Sequence, residues 1–149
     1  MGLLDERFFM YAEETDLCYR ARQAGWEVHY VPDARIVHVG GGSSRLARRR
    51  TFVEFRRSML RFFWKHHGRA SAELARGLLL LFLVLRLPYW MLRAAWPGAG
   101  RAAARDQFGN VLAGTSFLLT PLPRLLEAPA SEGGRSSRPP EPGVDSEVR

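Results

Sequence analysis

An unbroken apolar run, Gly77–Leu85 (GLLLLFLVL), is the feature that most restricts how this chain can fold. It lies within a longer helical pattern, Ser71–Trp96, that is interrupted by Arg76, Arg86 and Arg93. A membrane-spanning helix needs about 20 mostly apolar residues, and an arginine near the bilayer centre costs about 2.5 to 3.5 kcal/mol. The sequence therefore predicts membrane association, either peripheral or single-spanning, with the arginines meeting anionic headgroups in the peripheral case.

The distribution of charge favours the same kind of partner. The chain has 22 Lys and Arg against 15 Asp and Glu, a formal net charge of +7. Residues 45–105 hold a long series of arginines with few acidic partners, which indicates an anionic surface as partner. Both lipid and nucleic acid would fit, but a basic amphipathic segment beside an apolar helix is more typical of lipid contact, so nucleic acid is the unlikely partner.

Four segments follow from composition and periodicity. Residues 1–50 carry the motifs discussed below. Residues 51–69 place aromatic side chains at helical spacings with Arg and Lys on the other face, and form a basic amphipathic helix that ends at Gly68. Residues 70–126 form an apolar, membrane-associating helical region. Residues 127–149 are rich in Pro, Gly, Ser and charge, and are predicted to be disordered.

The first segment is predicted to be α/β. Thr15 is a candidate N-cap for a short helix, Asp16–Ala24, which Gly25 would end. Two strand-like pieces, WEVHYVP and RIVHV, follow that helix, because apolar and polar side chains alternate in them.

Three carboxylates, Glu13, Glu14 and Asp16, stand at the start of this helix. They would favour the helix dipole, with Asp16 pairing with Arg20 one turn later. Alternatively, one of them is a general base, which must lie within hydrogen-bond reach of a substrate hydroxyl. The residues alone favour the first interpretation.

The order of residues across the whole region is a more specific signal. It holds an Asp-Glu-x-Phe-Phe segment, a stretch close to Tyr-x-Glu-Asp-x-Asp-Leu-x-x-Arg, a Gly-aromatic turn, a Pro-Asp-Ala turn, and a His followed by Gly and Ser. This order resembles the second half of the catalytic domain of glycosyltransferase family 2, especially its rhamnosyltransferase-like members. The matching residues are Asp5, Glu6, Phe8, Phe9, Tyr11, Glu13, Glu14, Asp16, Leu17, Arg20, Gly25, Trp26, Pro32, Ala34, His38, Gly41 and Ser43.

The resemblance implies the C-terminal part of a GT-A fold, followed by the basic amphipathic and apolar helices. It also implies inverting transfer of a sugar from a nucleotide-diphosphate donor to a saccharide or lipid-linked acceptor, with a divalent metal, Mg²⁺ or Mn²⁺. Such enzymes make cell-surface polysaccharide or glycolipid at the cytoplasmic face of the membrane. The alternative function is that of a non-catalytic basic membrane-surface protein.

The resemblance also assigns roles to residues. Glu14 occupies the position of the family's general base, usually Asp, so the carboxylate is one methylene longer here. Glu13, Asp16 and Arg20 would support the acceptor site.

The remaining roles concern the donor. His38 would contact the metal or the diphosphate, and Gly41, Ser43 and Arg45 would bind the diphosphate. The sequence has no Asp-x-Asp motif. We therefore expect it to be a fragment lacking the nucleotide-binding half.

Overall fold

A computed structural model describes residues 2–35, 37 and 48–127 of the chain. The helices within those ranges are α1 (Glu13–Gln23), α2 (Arg48–Ala95), α3 (Arg101–Leu119) and α4 (Leu122–Leu126). The predicted diphosphate and metal residues, Gly41, Ser43, Arg45 and His38, lie outside the described residues, as does the predicted disordered tail beyond residue 127.

The predicted α/β fold class is wrong, because the described part of the chain is helical and contains no strand. Residues 26–31, predicted as a strand, are neither helix nor strand, and Trp26 and Tyr30 are 67% and 89% exposed. A strand needs a neighbour that pairs with its backbone N–H and C=O groups, and no described segment pairs with residues 26–31. The implied GT-A fragment is therefore not what this structure shows.

Helix α1 starts earlier than predicted. Its N-cap is Ala12, in the left-handed region at φ 64°, with no side-chain cap, so Thr15 lies inside the helix. The helix starts without a capping side chain, and its first turn holds three carboxylates that favour the positive end of the helix dipole. The predicted stop at Gly25 agrees with the structure: Gly25 adopts φ 83° and its N–H donates to the carbonyl of Arg22 at 3.1 Å.

Helix α2 consists of two arms. Gly68 has non-helical backbone angles (φ 79°, ψ 179°), and it separates a first arm, residues 48–67, from a second arm, residues 69–95. A positive φ is accessible to glycine at little cost, which explains why the break falls at this residue. The predicted end of the basic amphipathic helix coincides with this break.

Both arms pack against α3. The core contains Leu60 from the first arm, Leu83 from the second and Val111 from α3, and α4 adds two leucines. Gly114 of α3 lies where the arms converge: a Cβ built there would lie 2.7 Å from Phe52 Cε1 and 2.9 Å from Leu83 Cδ1. The three-way contact therefore depends on a residue without a side chain.

We expect Gly114→Ala to destabilise the chain by about 1 to 3 kcal/mol, because the added methyl group overpacks a contact between two core side chains. Gly77→Ala is the matched control, since a Cβ at Gly77 meets nothing within 4 Å. That change should stabilise the helix by about 0.5 to 1 kcal/mol. Thermal unfolding followed by circular dichroism measures both, and equal melting temperatures for the two variants would contradict the packing described.

Candidate functional site

The carboxylate of Asp16 lies at the centre of a buried polar cluster. The side chain has no exposed surface and accepts hydrogen bonds from three groups. Arg20 Nε lies 2.8 Å from Oδ2, and Lys65 Nζ and His66 Nε2 each lie 2.7 Å from Oδ1. We call Asp16, Arg20, Lys65 and His66 the Asp16 cluster. A buried charge is tolerated only when it is paired and hydrogen-bonded in this way.

Two opposing effects act on the pKa of Asp16. Burial raises it, but the hydrogen bonds from Lys65, His66 and Arg20 favour the ionised form and outweigh burial, so the pKa of Asp16 lies below its ordinary value. Asp16 is therefore an ionised structural anion at neutral pH.

A second carboxylate, Asp5, extends the cluster toward the surface. Its Oδ2 accepts from Lys65 Nζ at 2.7 Å, so this lysine bridges Asp5 and Asp16. Arg7 also pairs with Asp5, with Nη2 2.7 Å from the same oxygen. The hydrogen bond from Arg7 is the main cause of a strongly lowered pKa for Asp5, and the same pair raises the pKa of Arg7.

Backbone carbonyls complete the contact between the N-terminal segment and the first arm. Ser58 Oγ donates to the carbonyl of Met10 at 2.8 Å. Arg61 donates to the carbonyl of Arg7 through Nη1 and to that of Leu126 through Nη2, the latter at 2.6 Å. These bonds explain why polar side chains, rather than the whole aromatic stripe, are buried on the first arm.

The aromatic face of the first arm adds ring contacts. Tyr19 of α1 packs against His66, with ring centroids 4.3 Å apart, and edge-on against Phe62 at 5.4 Å. Tyr11 packs edge-on against Phe55 at 5.5 Å. Residues on both sides of the α1 N-terminus are thus fixed to the first arm.

The structure separates the three predicted carboxylates. Asp16 is occupied by its partners, Glu14 is exposed, and Glu13 is half-buried with Oε2 lacking a hydrogen-bond partner among the described residues. Tyr11 and Ala12, just before them, are both in the left-handed region (φ 68° and 64°). Such strained backbone in a non-glycine residue costs about 1 to 3 kcal/mol and tends to occur at functional sites.

Arg20 was predicted to pair with an acid of the cluster, and it does so with Asp16. It also donates to the carbonyl of Leu3 at 2.7 Å. The described residues contain no group of three or more His, Cys, Asp or Glu side chains placed to hold a metal ion. The divalent metal therefore stays a prediction.

Sequence reasoning missed Lys65 and His66. The signal that could have found them is a polar stripe at helical spacing, Ser58, Arg61 and Lys65, on an arm otherwise rich in Phe. That stripe marks a helix face that contacts polar groups, but it does not say which acid they meet.

A second feature is the apolar surface of the second arm. Large apolar side chains recur every three or four residues and remain exposed, for example Leu78 at 59% and Leu85 at 69%. We call this the apolar face; it consists of Leu74, Leu78, Leu81, Leu85, Tyr89 and Leu92 of the second arm, together with Trp96 just after the arm. Helix α2 is long and apolar enough to cross a membrane, and only 11% of its most apolar 18-residue window is buried.

We expect Asp16→Asn to destabilise the chain by about 3 to 5 kcal/mol at neutral pH, because it removes the buried negative charge that Arg20, Lys65 and His66 share. The folded-state pKa of Asp16 is lowered, so ionised Asp16 adds to the free energy of unfolding. This contribution is complete above the unfolded-state pKa and is lost as the pH falls below about 4. The melting temperatures of the two proteins should therefore converge in acid. Glu14→Gln, at an exposed carboxylate, is the control, and a gap that stays constant down to low pH would exclude the charge-based explanation.

Comparison with known proteins gives one kind of match. A segment of 38 residues is 50% identical to an N-acetylglucosaminyl-diphospho-decaprenol L-rhamnosyltransferase, found in two strains of Mycobacterium tuberculosis. The segment covers 26% of this chain and 12% of each relative. No family model and no solved structure matches the chain. Over about a quarter of its length, the chain is similar to a glycosyltransferase.

Proposed function

We propose that this chain is part of a membrane-associated glycosyltransferase of family 2. It transfers a sugar from a nucleotide-diphosphate donor to an acceptor hydroxyl, with inversion, in the synthesis of cell-surface polysaccharide or glycolipid. The observation that carries the proposal is the 50% identity to a rhamnosyltransferase over 38 residues. The left-handed turn at Tyr11 and Ala12 and the exposed carboxylate of Glu14 beside it support the proposal.

Within this proposal Glu14 is the general base. Asp16 is fully buried and bonded to three side chains, so it has no room for a substrate hydroxyl. Glu14 is exposed, lies in the first turn of α1, and stands two residues from that anchored carboxylate. It would take the proton from the acceptor hydroxyl as that oxygen attacks the anomeric carbon and the nucleoside diphosphate leaves.

The proposed acceptor is lipid-linked and the reaction takes place at the cytoplasmic face of the membrane. The relatives act, by their name, on an N-acetylglucosaminyl-diphospho-decaprenol. The apolar face offers a surface that would hold the chain beside such a lipid. Mg²⁺ or Mn²⁺, with His38 as contact and Gly41, Ser43 and Arg45 at the diphosphate, belongs to the proposal, but no step here depends on it.

The test of the base uses the full chain combined with the nucleotide-binding half of a family 2 glycosyltransferase, a nucleotide-diphosphate L-rhamnose donor and a polyprenyl-diphosphate N-acetylglucosamine acceptor. We expect Glu14→Gln to lower the transfer rate by about 10² to 10⁴, the contribution of a positioned general base. Glu27→Gln removes another exposed carboxylate and should leave the rate unchanged.

Equal rates for the two variants would exclude Glu14 as the base. Absence of transfer by the unmodified chain in this combination, with or without added Mg²⁺ or Mn²⁺, would exclude a catalytic role for this chain.

The second candidate function is that of a basic, non-catalytic membrane-surface protein. The apolar face and the exposed arginines of the second arm, Arg69, Arg86 and Arg93, favour it as much as they favour a membrane-bound enzyme. Sugar transfer separates the two candidates, because only the first requires it.

Membrane association itself is tested by removing apolar side chains. Burying a leucine is worth about 1.5 to 3 kcal/mol, so we expect Leu78→Ser with Leu85→Ser to weaken binding to phosphatidylcholine–phosphatidylglycerol vesicles by at least about tenfold in flotation assays. Leu3→Ser is the control, since Leu3 is 90% exposed and lies outside the apolar face. Unchanged flotation of the double variant would rule out this face as the membrane contact.

A further inference from the structure

A cleft of about 560 Å³ opens beside the strained turn, with Tyr11 of that turn in its wall. We call it the Arg56 cleft. Its walls come from three separate parts of the chain: the turn before α1, the start of α2, and the middle of α3. Its main lining residues are Tyr11, Arg48, Phe52, Phe55, Arg56 and Asn110.

Arg56 is unusual among the lining residues because it is a buried cation. Only 8% of the residue is exposed. Its Nη1 donates to the carbonyl of Phe52 at 2.6 Å, and its guanidinium lies 3.4 Å from the centre of the Phe52 ring. Among the described residues Nε has no hydrogen-bond partner, and no carboxylate pairs with this guanidinium. Burial lowers the pKa of Arg56 to about 10, which still leaves it charged at neutral pH.

A buried charge without a counter-ion is costly, and proteins usually resolve it by pairing. The nearby Glu54 does not serve, because it pairs with Arg57 at 2.6 Å. The described lining of the cleft holds a second cation, Arg48, and no carboxylate. Arg56 therefore has the properties of a residue that awaits an anionic ligand.

The other lining residues define the ligand further. Asn110 and the neighbouring Thr51 and Gln107 carry neutral hydrogen-bonding groups. Phe52 and Phe55 give one side of the cleft an aromatic surface. Arginine forms paired hydrogen bonds with phosphate oxygens. The aromatic rings would contact the apolar part of a ligand that carries such a phosphate group.

We propose that the Arg56 cleft binds a phosphate or diphosphate group, with Arg48 and Arg56 as its cationic ligands. The group belongs either to a free phosphorylated molecule or to a lipid headgroup. The inference does not depend on sugar transfer, because phosphate binding is measured without any donor or acceptor.

In the first experiment, inorganic pyrophosphate is titrated into the full chain in neutral detergent and binding is measured by isothermal titration calorimetry. We expect Arg48→Gln to weaken binding about tenfold and Arg56→Gln at least as much, since each loses charge-assisted hydrogen bonds. Arg93→Gln, which removes an exposed arginine outside the cleft, should change affinity by no more than about twofold. Arg48 is exposed, so its variant is informative even if Arg56→Gln does not fold.

A second experiment measures flotation of the full chain with phosphatidylcholine vesicles, with and without phosphatidic acid. Weaker pyrophosphate binding by Arg48→Gln supports the site and a free phosphorylated ligand. Loss of only the phosphatidic-acid-dependent flotation supports the site and a lipid headgroup. If Arg48→Gln and Arg93→Gln have equal pyrophosphate affinity and equal flotation, binding depends on overall charge alone and the proposal is overturned.

Discussion

The buried carboxylate of Asp16 is the interaction on which the arrangement of the N-terminal segment depends. Its two oxygens accept hydrogen bonds both from Arg20 of α1 and from Lys65 and His66 of the first arm of α2. Ion pairs at a surface contribute little, but a buried pair is costly to break from one side. The cluster therefore fixes the position of α1 more than it raises stability. Residues 26–35, by contrast, lack such an anchor among the described residues and remain exposed.

Glycine determines the packing of the helices in two different ways. At Gly68 it supplies a positive φ that breaks α2 into the first arm, which contacts the N-terminal segment, and the second arm, which carries the apolar face. At Gly114 the absence of a side chain leaves room for Phe52 and Leu83 to pack closely against α3. The apolar face is consequently left outward, because the inward side of the second arm is already occupied by α3.

Local features of this fold could be read from the sequence, and long-range ones could not. The ends at Gly25 and Gly68, and the Asp16–Arg20 pair, depend on residues at most one turn apart. The strand prediction for WEVHYVP failed because alternation indicates a half-buried strand only if another strand lies beside it, whereas RIVHV lies largely outside the described residues. Lys65 and His66 are about 50 positions from Asp16, and nothing in a single sequence states which acid a basic helix face will meet.

The apolar face and the part of the Asp16 cluster on the first arm lie close to each other in the sequence, on either side of Gly68. Asp16 is held by residues just before the break at Gly68, whereas the apolar face begins at Leu74, a few residues after it. Only eight positions in the sequence separate His66 from Leu74. In the proposed function, this anchor would fix the first turn of α1, which carries the exposed Glu14. The three hydrogen bonds that leave Asp16 no room for a substrate hydroxyl would then also hold Glu14, two residues away, in place as the proposed general base.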